Sequence, residues 1–176
     1  MVLFVLLSFP IIGSVSASSV MWSQTYGGGL SNLASSLVET SAGGYAIAGE
    51  TRSFSRANND FWLVKTDSYG RVSWNQSYGG YGVDAACSLV ETPDGGFALA
   101  GYFGFLDHWL IKTDTFGNME WRHEHDEPDW ERAYFLVAAS DGGYALAGEK
   151  YRVGTSDDDF LLVKTDAYGD IDWNMT

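Results

Sequence analysis

Tryptophan recurs at Trp22, Trp74, Trp121 and Trp173, spaced 52, 47 and 52 residues apart, and the residues around it recur with it. A period of about fifty residues marks a tandem array of supersecondary units, each too small to bury its own apolar face and each stabilised by stacking on the next. The copies run over residues 22–73, 74–120 and 121–172, and Trp173 opens a further one.

Each copy is punctuated twice. The first turn reads Ser41-Ala42-Gly43-Gly44, Pro93-Asp94-Gly95-Gly96 and Ser140-Asp141-Gly142-Gly143, preceded by a Leu-Val pair and followed by an aromatic residue. Asp-Gly supplies the positive φ angles of a two-residue hairpin turn, so residues 36–40 and 45–49 should pair antiparallel. The second is an Asp-x-x-Gly-x-x-x-Trp pattern: Asp67, Gly70, Trp74; Asp114, Gly117, Trp121; Asp166, Gly169, Trp173. An Asp carboxylate accepts backbone N–H groups two residues on and glycine takes the left-handed angle, which predicts a second hairpin.

Between these turns lie segments apolar on both sides. Tyr45-Ala46-Ile47-Ala48-Gly49 recurs as Phe97-Ala98-Leu99-Ala100-Gly101 and Tyr144-Ala145-Leu146-Ala147-Gly148, and the strand from Asp60 to Asp67 recurs at 107–114 and 159–166. Such strands need cover on both faces, and the alanines allow close approach on one of them. The tryptophan strand differs: Val72, Trp74, Gln76 and Tyr78 alternate with Ser73, Asn75 and Ser77, as at an edge with one wet face. Four strands per unit, two doubly covered and one at the rim, predict an all-β, propeller-like array of three four-stranded antiparallel blades belonging to a larger propeller. Another edge strand is expected at residues 20–26.

Twenty-one glycines and three prolines beside seven Trp, ten Tyr and ten Phe suit short strands and oppose helix. A net charge of -13, with no Lys/Arg cluster, is the wrong sign for nucleic acid or an anionic membrane surface. Cys87 is the single cysteine and stands where the preceding copy has Ser35, which suits a buried small side chain and excludes an intrachain disulfide. Residues 1–17 form an apolar run ending Val15-Ser16-Ala17, read as a secretion signal or anchor with the repeats occupying 18–176 and the mature chain secreted or at the cell surface.

The Asp-x-x-Gly-x-x-x-Trp element resembles the tryptophan-docking repeat of quinoprotein (PQQ-like) propellers, and the unit with its Gly-Gly-Tyr and Tyr-Gly-Gly motifs is similar to secreted β-propeller repeat proteins of archaea and bacteria. The resemblance spans residues 22–176. It implies the architecture and leaves the chemistry open, because such blades serve enzymes, assembly factors and adhesive surface proteins alike.

No nucleophile elbow, catalytic triad order, phosphate loop or dinucleotide fingerprint occurs, so no residue is assigned a catalytic or cofactor-binding role. His123, His125 and Asp126 are weak metal candidates, placed on the tryptophan side of an edge strand where other copies carry Gln76 and Tyr78. Asp157-Asp158-Asp159 is a weak Ca²⁺ candidate; Asp159 matches Asp60 and Asp107, which favours a structural role. Lys65, Lys112 and Lys164 recur beside the turns, and an ion pair with Glu39 or Glu91 is a further expectation. Asn75 and Asn174 head glycosylation sequons on the wet face of the edge strand. The function expected is a non-catalytic binding scaffold for a protein or glycan, with recognition by the loops 51–59, 102–106 and 151–158 and with further blades from a longer chain or a homo-oligomer. The alternative is part of a quinoprotein-like or hydrolytic propeller enzyme.

Overall fold

The computed structural model describes residues 22–104, 107–125, 129–155 and 158–176; the apolar segment 1–17 lies outside them. Twelve strands occur, and no helix is found among the described residues. Blade 1 comprises β1 (Asn32–Glu39), β2 (Tyr45–Thr51), β3 (Asp60–Thr66) and β4 (Val72–Tyr78). Blade 2 comprises β5 (Ala85–Glu91), β6 (Phe97–Phe103), β7 (Asp107–Thr113) and β8 (Met119–His125). Blade 3 comprises β9 (Trp130–Ala138), β10 (Tyr144–Tyr151), β11 (Asp158–Thr165) and β12 (Ile171–Met175). Each blade is a separate antiparallel sheet with its strands in chain order, and the three do not close into a ring.

The sheets share the sequence period but not its phase. The Trp74 strand pairs with β3, so it completes the sheet begun at Asn32 rather than opening the next one. Trp22–Tyr26 joins no sheet, because no described strand lies beside it to supply a ladder. It is held through side chains instead. The Trp22 and Tyr45 ring centroids are 6.1 Å apart, and the Tyr26 hydroxyl donates to the Gly70 carbonyl at 2.8 Å.

Turn chemistry sets the hairpins. In the second turn Asp67 Oδ1 accepts the N–H groups of Tyr69 (2.8 Å) and Arg71 (2.9 Å), while Gly70 adopts φ +76°. Asp114 with Gly117 and Asp166 with Gly169 repeat that arrangement. The first turn is longer than the two-residue form: Gly43 N–H donates to Thr40 O at 2.8 Å, and Thr40 N–H donates to Gly44 O at 3.0 Å. Among the described residues none other than glycine has positive φ, so Asp94 and Asp141 are not left-handed turn residues. Their carboxylates accept the N–H of Gly96 and Gly143.

The blades stack through unlike faces. The alanine face of blade 1, with Ala46, Ala48, Phe61 and Leu63, meets Leu89, Phe97, Leu99, Trp109 and Ile111 of blade 2. Ala98, Ala100 and Leu110 of blade 2 meet Leu136, Tyr144, Leu146, Leu161 and Val163 of blade 3 in the same way. The Leu-Val pairs divide between the faces: Leu89 looks back at blade 1, whereas Val90 packs forward against blade 3. The first strands carry the junctions, β5 touching β1, β2 and β3, and β9 touching β5, β6 and β7.

A tryptophan locks each junction. A Cβ on Gly117 would lie 2.6 Å from the Trp74 ring, and one on Gly169 would lie 2.7 Å from that of Trp121, so only glycine lets the ring sit on the next blade's turn. Trp74 meets Phe97 (5.9 Å) and Trp121 meets Tyr144 (6.0 Å) edge to face. Trp22 makes the same contact with Gly70, 2.5 Å from the position of its Cβ, although no described blade precedes it.

Candidate functional site

Polar residues are buried where the first strands begin. At the blade 1–blade 2 junction Asp60 (3% exposed) and Asp84 (0%) converge beneath Gly79. Asp60 Oδ1 and Asp84 Oδ2 both lie within 2.7 Å of the point a Gly79 Cβ would occupy, so that residue has to be glycine. Asp84 accepts the N–H groups of Gly80 (2.9 Å) and Gly104 (3.0 Å), and Asp60 Oδ2 accepts that of Arg56 (3.3 Å). Asp60 Oδ1 is buried with no hydrogen-bond donor. Burial raises the Asp60 carboxyl above the usual range, countered in part by the Arg56 N–H and reinforced by the Asp84 charge. Burial raises Asp84 as well, against the N–H groups of Gly104 and Gly80 and together with the charge of Glu124.

At the blade 2–blade 3 junction the equivalent seam is charge-paired. Glu131, in the place of Asp84, lies 3.1 Å from His108 Nδ1 and 2.9 Å from Lys150 Nζ. Burial alone would raise the Glu131 carboxyl, but hydrogen bonds from His108 and Lys150 outweigh it and hold the group below its ordinary value. His108 stands where blade 1 has Phe61, and Lys150 where it has Thr51.

Beside this seam, across the ends of β9, β10 and β11, Trp130, Arg132, Glu149, Tyr151 and Asp158 line a cleft of about 250 Å³. The Trp130 and Tyr151 rings are 5.3 Å apart and inclined by 30°, and Trp130 is 42% exposed. Glu149 accepts the Tyr134 hydroxyl at 2.6 Å and lies 3.5 Å from Arg132 Nη1, whose guanidinium also sits 5.4 Å from the Tyr102 ring centroid. Cys87 lies in the same electrostatic neighbourhood. Burial and the nearby Glu50 charge push its thiol up to about 11, with Arg132 opposing.

The sequence candidates are placed differently. His123 packs edge to face on Trp121 at 5.3 Å and lies 3.9 Å from Asp170; the His125 side chain and Asp126 lie outside the described residues. Asp157 also lies outside them, Asp158 lines the cleft, and Asp159 pairs with Arg152 at 3.5 Å. No group of three metal-ligating side chains occurs among the described residues. Lys112 pairs with Asp94 and Glu120, and Lys164 with Asp141 and Asp172, while Lys65, lacking those partners, donates to the carbonyls of Gly43 and Thr66. Glu91 instead accepts two hydrogen bonds from Ser41 of the preceding blade. Asn75 and Asn174 are exposed on the outer strands, Asn75 Oδ1 accepting Trp62 Nε1–H at 3.2 Å. Of the loop aromatics, Phe103 stacks on Trp109 at 4.5 Å, whereas Tyr81 is 90% exposed. Sequence reasoning missed His108, Glu131, Lys150 and the Trp130 cleft; His108 replacing a phenylalanine in an otherwise apolar strand was the available signal.

No family model matches this chain. No curated protein matches it either. Among solved structures it is similar to a protein of unknown function from Bacteroides caccae, with 10% identity, 81% of each chain covered and a TM-score of 0.36.

Proposed function

We propose that this chain is a non-catalytic binding module, secreted or held at the cell surface, that takes a neutral glycan in the blade 3 cleft. The observation that supports the reading is the half-exposed Trp130 beside Tyr151, with Arg132, Glu149 and Asp158 around them. A pyranose presents an apolar C–H face that stacks on an aromatic ring and equatorial hydroxyls that meet carboxylates and guanidinium, and this cleft offers both kinds of surface. Two carboxylates against one guanidinium, on a chain of net charge -13, disfavour uronic or sialic acids. Residues 1–17 as an export signal agree with an extracellular ligand.

Tryptophan fluorescence titration and calorimetry against a panel of neutral, amino and acidic oligosaccharides test the reading. Saturable binding of a neutral member, lost in Trp130→Ala and weakened in Glu149→Gln, is expected. Binding of none of the panel, or equal binding by Trp130→Ala, overturns it.

A further inference from the structure

The two free faces of the array carry the two halves of the junction that joins its blades. On blade 3 the forward face is open: Phe160 is 93% exposed, where its equivalents Phe61 and His108 are 0% and 1%. Leu162 is 39% exposed where Leu63 and Leu110 are 0%, and Trp173 stands 45% exposed with no following turn glycine to dock on among the described residues. On blade 1 the backward face is open in the same sense. Leu37 is 61% exposed there, against 3% and 4% for Leu89 and Leu136.

A polar contact shows which faces belong together. At the blade 1–blade 2 junction Ser41 donates to Glu91 from both its N–H (2.8 Å) and its hydroxyl (3.0 Å). At the blade 2–blade 3 junction both members are missing, since Pro93 has no N–H to give and Ala138 has no carboxylate. At the open ends both members are present again: Ser140 stands on blade 3 in the place of Ser41, and exposed Glu39 stands on blade 1 in the place of Glu91.

We propose that blade 3 of one chain docks head to tail on blade 1 of a second copy, Ser140 meeting Glu39 and Trp173 meeting Gly70, so that two chains close a six-bladed ring. A head-to-tail contact that closes yields a ring, and two copies give six blades, within the four to eight that propellers use; three copies would give nine. Trp22 already occupies Gly70 in the single chain. Residues 22–26 are therefore a placeholder for the partner's β12 and compete with assembly. Glu149 of the Trp130 cleft is the cross-strand partner of Phe160, so the docked face borders that cleft; mass measured without any glycan reads assembly apart from ligand binding.

Light scattering over a concentration series, on the chain lacking residues 1–17 and on a second form lacking residues 1–26, tests it. Doubling of each form's own chain mass is expected, at tenfold or more lower concentration once Trp22 is gone. Phe160→Asp, on an exposed side chain, keeps both forms monomeric with an unchanged circular dichroism spectrum. Glu39→Lys weakens the dimer, and adding Ser140→Asp restores it with opposite charge. A folded monomer at every concentration, an open-ended series of oligomers, or a dimer indifferent to Phe160→Asp and Glu39→Lys overturns the proposal.

Discussion

His108 Nδ1 lies 3.1 Å from Glu131 Oε2, and the two residues belong to different blades, so a fully buried imidazole–carboxylate contact bridges a junction between repeats. Lys150 completes it from the opposite side of the carboxylate. A buried pair contributes little net stability over an apolar junction, but breaking it strands the remaining charges.

Glu131→Gln is expected to cost about 3–5 kcal/mol, since it removes the buried carboxylate charge that faces the Lys150 ammonium. The Glu131 carboxyl is held below its unfolded value, so its stabilisation is present above that value and is lost as pH falls through the depressed one. Urea denaturation of wild type and variant across pH 3 to 7 checks both statements: the gap between them should close on the acid side.

Asp60→Asn is expected to stabilise the fold at neutral pH. Asp60 Oδ1 has no donor, Asp84 lies beside it, and an amide keeps an acceptor for the Arg56 N–H while relieving the like-charge contact. The sign is opposite to that at Glu131. A carboxyl raised by folding binds its proton more tightly in the native state, so its favourable contribution exists at low pH and is lost as pH rises from the ordinary carboxylate value through the raised one. Thermal melts at pH 4 and 7 should show the variant gaining most at pH 7; equal or lower stability there would contradict the assignment.

Gly117→Ala and Gly142→Ala separate backbone strain from ring docking. Both glycines have positive φ, but a Cβ on Gly142 meets nothing closer than 3.9 Å whereas one on Gly117 strikes the Trp74 ring. Gly142→Ala should cost about 1 kcal/mol, and Gly117→Ala should add to that strain the cost of moving Trp74, reaching about 2 kcal/mol or more. Paired denaturation curves measure the difference.

Cys87 should be a slow nucleophile. With the thiol pushed up to about 11, it is held almost wholly in the neutral form, which is a poor nucleophile. About one molecule in a thousand carries thiolate at pH 8. Iodoacetamide labelling followed by mass should therefore be far slower than for a free cysteine peptide at pH 8. Arg132→Ala, which removes the one opposing positive charge, should slow it further.

The strand count, the double cover of the alanine-rich and Asp60-type strands, and the Asp67, Asp114 and Asp166 turns were legible because each depends on residues a few positions apart. The pleat alternates faces along a single segment, and an Asx turn closes within four residues. The second hairpin already joined the Trp74 strand to the Asp60 strand, but copy boundaries drawn at Trp22, Trp74 and Trp121 cut across the sheets. A tryptophan that pairs backward through its backbone and docks forward through its ring serves both units, and a repeated pattern has no intrinsic starting point. The Ser41–Glu91 contact and the Lys112 partners were hidden, since a recurring Lys and a recurring Glu on neighbouring strands invite a pairing that the blade geometry does not make.

The sequence by itself determined a three-unit array of four-stranded blades, because turn chemistry and face alternation act locally and are written in every copy. Only the tertiary structure decided that Glu131 meets His108 and Lys150, that Asp60 converges on Asp84, and that Trp130 and Tyr151 share a cleft. These groups lie on different strands or blades, and their proximity follows from how one sheet stacks on the next.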